Sequence, residues 1–254
     1  MTALLLQVLA TVLTLAFGGL AFGVWWSGRR SPDPLVRGWG VTGAYFLLIG
    51  AYSSVHALLL VAAVRAWPGS PLSTWVAAWS SAASIGRGVT SLGFPVLLAA
   101  AVLPRRARGS GGLLRHMGVL AVLAAAGTVG AKQLHDGSAH QYMSALAVLS
   151  TILAISLMVV LLMALAADRL DQLLWFALAT YTLREVIGVS LLTIFAWWNL
   201  AANPAAFYIF YGLSIAVTAV LCLLGARRLA LMRAGKKVPA LLQRIHPVQR
   251  PATG

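Results

Sequence analysis

Residues 3–27 read ALLLQVLATVLTLAFGGLAFGVWWS, and the chain then turns on Gly28-Arg29-Arg30-Ser31-Pro32-Asp33-Pro34. The first of these stretches carries no charge. A membrane crossing needs about 20 predominantly apolar residues, so this segment is long enough to span a bilayer. The first positive charges, Arg29 and Arg30, follow the apolar run instead of preceding it. That order retains the segment as a helix and sends the N-terminus outward.

Six further segments of the same kind follow, at about 39–64, 73–103, 114–134, 142–167, 172–198 and 205–226. Gly, Pro and charge punctuate the clearest connections, as in Trp67-Pro68-Gly69-Ser70-Pro71 and the basic run Pro104 to Gly112. The expected fold is all-α: a polytopic bundle of seven transmembrane helices with the N-terminus outside and the C-terminus cytoplasmic. Residues 1–226 form the membrane domain and 227–254 a short basic cytoplasmic tail. The location is the cell membrane, multi-pass.

Composition agrees. Of 254 residues, 60% are hydrophobic and 9% charged, against roughly 45–50% and about 25% in soluble domains. The 19 Lys and Arg against 5 acidic residues would suggest nucleic acid in a soluble chain. Here position decides their meaning. With the N-terminus outside, fifteen basic residues fall on the cytoplasmic side: Arg29, Arg30, Arg37, Arg105, Arg106, Arg108, Arg115, Arg169, Arg227, Arg228, Arg233, Lys236, Lys237, Arg244 and Arg250. The outer loops hold only Arg65 and Lys132. This asymmetry sets orientation and an odd number of spans, and it excludes a nucleic-acid partner. Tryptophans sit at span ends: Trp25, Trp26, Trp39 and Trp175 on the inner side, Trp67, Trp75, Trp197 and Trp198 on the outer. That reads as an aromatic belt. The tail is read as an anchor attracted to anionic lipid, or as a docking segment for a cytoplasmic partner.

Charges inside spans are costly and mark function or a buried pair. Three lie near mid-span: Arg87, Arg184 and Glu185. Adjacent residues on a helix diverge by about 100°, so Glu185 is expected to meet Arg87 across helices, leaving Arg184 over. One reading is a buried ion pair that fixes the packing of spans 3 and 6. Another is a site for a carboxylate, phosphate or lipid headgroup, which the planar guanidinium binds bidentately, and a third is a proton relay built on Glu185 and His56. Polar residues recur at helical spacing on several spans: Gln7, Thr11 and Thr14; Tyr45, Tyr52, Ser53 and His56; Ser80, Ser84, Thr90 and Ser91; Tyr181; Tyr211, Ser214, Thr218 and Cys222. Lipid cannot satisfy their hydrogen bonds, so these stripes are expected to face the bundle interior. The candidate ligand-binding set is Arg184, Glu185, Arg87, His56, Tyr52, Tyr181, Ser84 and Tyr211.

Other chemistry finds no purchase. The single cysteine, Cys222, excludes an intrachain disulfide and reads as a small apolar helix residue. His56 has no second histidine at matching depth for a haem. The outer segment with His135, Asp136 and His140 reads as a solvated loop, and no metal or cofactor is expected. A retinal Schiff base would need a lysine in the last span, where there is none. An enzyme ranks behind the other readings because no nucleophile arrangement is recognisable. The leading expectation is a ligand-binding or sensory membrane protein with a polar, outward-facing pocket, signalling through a cytoplasmic or membrane protein partner. A small-solute or anion transporter or channel is the first alternative, and a structural subunit of a membrane complex the second. Membrane lipid and a small anionic ligand complete the expected partners.

Overall fold

The structure is a computed structural model. It describes residues 2–65, 70–75, 171–183 and 204–236, together with separate positions between 94 and 156. The described residues are almost entirely helical. Four helices organise them: α1 (Thr2–Gly28), α2 (Pro34–Arg65), α3 (Gln172–Leu183) and α4 (Pro204–Arg233). Helices α1, α2 and α4 are long and apolar enough to cross a membrane. At 1.5 Å per residue, α1 alone runs about 40 Å, more than the roughly 30 Å hydrocarbon core.

Local chemistry sets the helix ends. Asp33 caps α2: its Oδ1 accepts the Leu35 N–H at 2.9 Å, and Pro34 occupies the first helical position, where no N–H is needed. This cap starts the helix five residues before position 39, the start expected for the apolar segment. At the other end of the chain α4 continues past 226 to Arg233. Gly235, with φ 72°, closes it: Lys236 N–H reaches Leu231 C=O at 3.0 Å and Gly235 N–H reaches Met232 C=O at 3.1 Å. That reciprocal pair is the Schellman closure, and it needs the left-handed residue that glycine supplies.

Helices α1 and α2 form an antiparallel hairpin whose backbones nearly touch. A Cβ on Gly43 would lie 2.5 Å from the Phe22 backbone N, and one on Gly18 would lie 2.8 Å from the Leu47 N. Small residues allow this approach, which replaces the hydrophobic drive that lipid cannot supply between helices. Helix α4 packs on the other side of α1 and runs parallel to it. The Cys222 thiol donates to Leu13 C=O at 3.4 Å, Gly225 faces Phe17 and Leu20, and Met232 faces Gly28. Helix α3 runs parallel to α2, with Asp171 beside Trp39 and Tyr181 beside Tyr45.

The core is built from one stripe per helix. On α3, Leu174, Ala177, Leu178 and Tyr181 are buried while Phe176 and Leu183 are exposed, the i, i+3, i+4, i+7 pattern. Phe94, Leu98 and Val102 bury one face of their helical segment, and Leu97 is exposed. The outer faces stay apolar: Val12, Phe22 and Trp26 on α1, Leu48 and Leu58 on α2, Val220 and Leu223 on α4. A helix that is apolar all round belongs in lipid.

The close approach at Gly43 predicts a sharp positional contrast. Gly43→Leu meets Phe22 backbone that cannot rotate away, and should cost about 1–3 kcal/mol, read as a lowered thermal midpoint in detergent. Gly19→Ala, whose added Cβ meets nothing within 4 Å, should leave the midpoint unchanged or slightly raised.

Candidate functional site

The most constrained polar cluster lies where α2 and α3 begin and α4 ends. Asp171 is the residue before α3 and caps it: Oδ1 accepts the Leu173 N–H at 3.2 Å, and its own C=O accepts Trp175 N–H at 2.8 Å. Oδ2 serves the other two helices. Trp39 Nε1–H of α2 donates to it at 2.7 Å, and Arg228 Nε of α4 lies 2.8 Å from it. All three side chains are buried, at 0% exposure for Trp39, 1% for Asp171 and 2% for Arg228.

The ion pair is not a forked, bidentate one. Arg228 Nε is close to the carboxylate but out of line for a hydrogen bond, and the buried Nη2 has no hydrogen-bond partner. The contact is therefore chiefly Coulombic. Burial pushes the Asp171 carboxyl above the usual carboxylate range, while the Arg228 charge and the Trp39 and Leu173 N–H groups hold it down.

Above this junction, toward the far end of α3, sits an aromatic group. The Tyr45 and Tyr181 hydroxyls are hydrogen-bonded to each other. Tyr45 stacks on Phe94 with centroids 4.1 Å apart, and Phe46 meets both Tyr181 and Phe17 edge-on. The interior of the described bundle is thus filled in two layers, a charged one and an aromatic one.

Of the candidate ligand-binding residues, Tyr181 is in the aromatic layer. Tyr52 on α2 and Tyr211 on α4 are half-buried. Arg87, Ser84, Arg184 and Glu185, and the side chain of His56, lie outside the described residues. The expected Arg87–Glu185 pair therefore falls there too. The polar stripes of α1 and α4 face inward, since Gln7, Thr11, Ser214 and Thr218 are buried. Much of their hydrogen bonding closes within one helix, however. Thr11 donates to Gln7 C=O at 2.8 Å, Thr14 to Ala10 C=O at 2.7 Å and Thr218 to Ser214 C=O at 2.6 Å. Such i−4 back-bonding satisfies a hydroxyl without a ligand.

Two expectations change. Trp39 is no lipid-facing belt residue: it is enclosed, and its indole N–H is committed to a carboxylate. Arg228 does more than orient the chain, because it is buried against Asp171. Asp171 itself was not among the candidates. It stood at a span boundary beside Arg169, where an acid reads as interfacial. The available signal was that it directly precedes a helical apolar stripe, the position of a capping aspartate.

Removing one partner of the pair should hurt more than removing both. Arg228→Leu leaves the Asp171 carboxylate buried alone and should cost about 3–5 kcal/mol. Asp171→Asn with Arg228→Leu should recover much of that loss, and Trp39→Phe should cost about 1.5–3 kcal/mol for one hydrogen bond to a charged group. A double-mutant cycle on thermal unfolding in detergent measures all three. No protein-family model matches the chain, and neither a curated protein nor a solved structure matches it.

Proposed function

We propose that this protein is a seven-helix, multi-pass protein of the cell membrane that binds a small anionic ligand from the outer side and signals through a separate protein partner. One observation carries the reading: among the described residues the basic end of the bundle is filled, first by Trp39, Asp171 and Arg228 and then by Tyr45, Phe94 and Tyr181. A transport path needs access from both faces, whereas a receptor needs it from one. In the sequence Arg184 and Glu185 follow Tyr181 by three and four positions. Together with Arg87, Ser84, His56, Tyr52 and Tyr211 they are the proposed lining of an outward-facing pocket. The surplus arginine is suited to a carboxylate or phosphate.

Topology supports the same arrangement. Helices α1 and α4 are parallel, and an odd number of full crossings from the first to the last of a set makes those two parallel. The ends of α1 and α4 that meet carry Arg29, Arg30, Arg227 and Arg233, which the positive-inside rule assigns to the cytoplasm. The signal is proposed to leave through α3 and α4, whose cytoplasmic ends are tied together by Asp171.

Binding is tested on the protein in nanodiscs titrated with acetate, succinate and inorganic phosphate. At least one should raise the thermal midpoint by several degrees, and Arg184→Ala should abolish that rise while leaving the unliganded midpoint in place. No rise with any of the three, or an undiminished rise in Arg184→Ala, overturns the pocket. Uptake of the same labelled anion into proteoliposomes would assign transport instead. Orientation is tested in a Cys222→Ala background. Ser138→Cys should react with an impermeant maleimide on intact cells and Ser110→Cys only after lysis; the reverse overturns the topology.

A further inference from the structure

We infer that the basic end of the bundle carries a binding collar for the phosphate headgroup of an anionic phospholipid. Arg29, Arg30, Arg37, Arg227, Arg233 and Lys236 are all exposed. They come from three helices that converge, because a Cβ on Gly28 at the end of α1 would touch both Val36 of α2 and Met232 of α4. Buried Arg228 is not part of this set, since its charge is opposed by Asp171.

The collar continues the lipid-facing stripes. On α1, Phe22 and Trp26 are exposed and Arg30 follows Trp26 at i+4. On α4, Leu223 is 71% exposed and Arg227 follows it at i+4. On α2, exposed Arg37 lies on the face of Ala44 and Leu48. The Arg29 guanidinium sits 3.5 Å over the ring of Trp26, which fixes a cation at the level of an exposed indole. Arg29, Arg30, Arg37 and Arg227 thus stand where the exposed apolar stripes end, the depth of headgroups.

The described residues hold two acids, Asp33 and Asp171. Asp33 accepts the Leu35 N–H as the cap of α2, and Asp171 serves Trp39, Leu173 and Arg228. Six exposed cations against the one Asp33 carboxylate leave the collar net positive, and an anionic phosphate is the complementary group there. Basic clusters between helix ends are the usual form of such headgroup sites. The inference rests on the helices crossing a membrane and is independent of any ligand at Arg184.

The full-length protein, delipidated in neutral detergent, is titrated with phosphatidylglycerol, with phosphatidylcholine and with inorganic phosphate while its thermal midpoint is followed. Phosphatidylglycerol should raise the midpoint, less so at high salt, and phosphatidylcholine should not. The variant Arg30→Gln/Arg227→Gln/Arg233→Gln, altered only at exposed positions, should keep the lipid-free midpoint and need on the order of tenfold to a hundredfold more phosphatidylglycerol. The variant Arg244→Gln/Arg250→Gln removes charge eight or more residues beyond Lys236 instead and should stay within about twofold of the parent, since the collar assigns the headgroup to the helix ends. An equal loss in both variants, a loss only in the tail variant, or an equal response to phosphatidylcholine overturns the collar. A rise produced by inorganic phosphate at millimolar concentration without lipid assigns the site to free phosphate and overturns the lipid assignment.

Discussion

Two oxygens of Asp171 hold three helices in register. Oδ1 ends the unsatisfied donors at the start of α3, while Oδ2 receives Trp39 from α2 and the charge of Arg228 from α4. Neither tie alone would define the junction. A cap fixes where a helix begins but not what it packs against, and an ion pair with a single close nitrogen fixes proximity but little direction. Joined on one carboxylate, they set the axial position of α2, α3 and α4 relative to one another. The stripes of apolar residues along those helices can then interdigitate in only one register. The glycine contacts between α1 and α2 do the same for the remaining pair without any polar group.

Such a junction is an expensive way to build. A buried guanidinium with an unpaired Nη2 gives up hydration it does not fully recover. Hydrophobic residues of similar volume would pack the same space with less desolvation. What the charged pair adds is discrimination, since a slip of one residue along α4 would place Arg228 about 100° away around the helix and bury it against apolar groups. The aromatic layer above it is less exacting. Tyr45, Phe94 and Tyr181 fill volume, and the two tyrosines share one hydroxyl hydrogen bond.

How far this was legible from the residues follows from what each signal measures. The long uncharged runs announce membrane-spanning helices because the bilayer imposes their length, and α1, α2 and α4 appear where those runs lie. Inward-facing polar stripes were legible for the same reason: Thr11, Ser214 and Thr218 could not face lipid. Their partners were not legible, because a threonine that bonds its own i−4 carbonyl and one that awaits a ligand look alike in sequence. Helix ends shifted because capping chemistry, at Asp33 and Gly235, overrides the ends of the apolar segments. Arg228 was counted with the orienting arginines because charge balance counts residues one at a time. Its burial depends on Asp171, which belongs to a different helix.

The ties at Asp171 also have an order in time. Trp39 precedes it by 132 positions and is made first, together with the α1–α2 hairpin, whose glycine contacts are local in sequence. Arg228 is made after it. Until Arg228 is made, the carboxylate can meet the indole N–H and cap its own helix, but the Arg228 charge is absent. Arrival of α4 supplies it. Helix α4 at the same time seats along α1, where Cys222 and Gly225 find their partners. Arrival of α4 is thereby coupled to burial of a charge, and a copy without α4 lacks the Arg228 cation that opposes the Asp171 carboxylate.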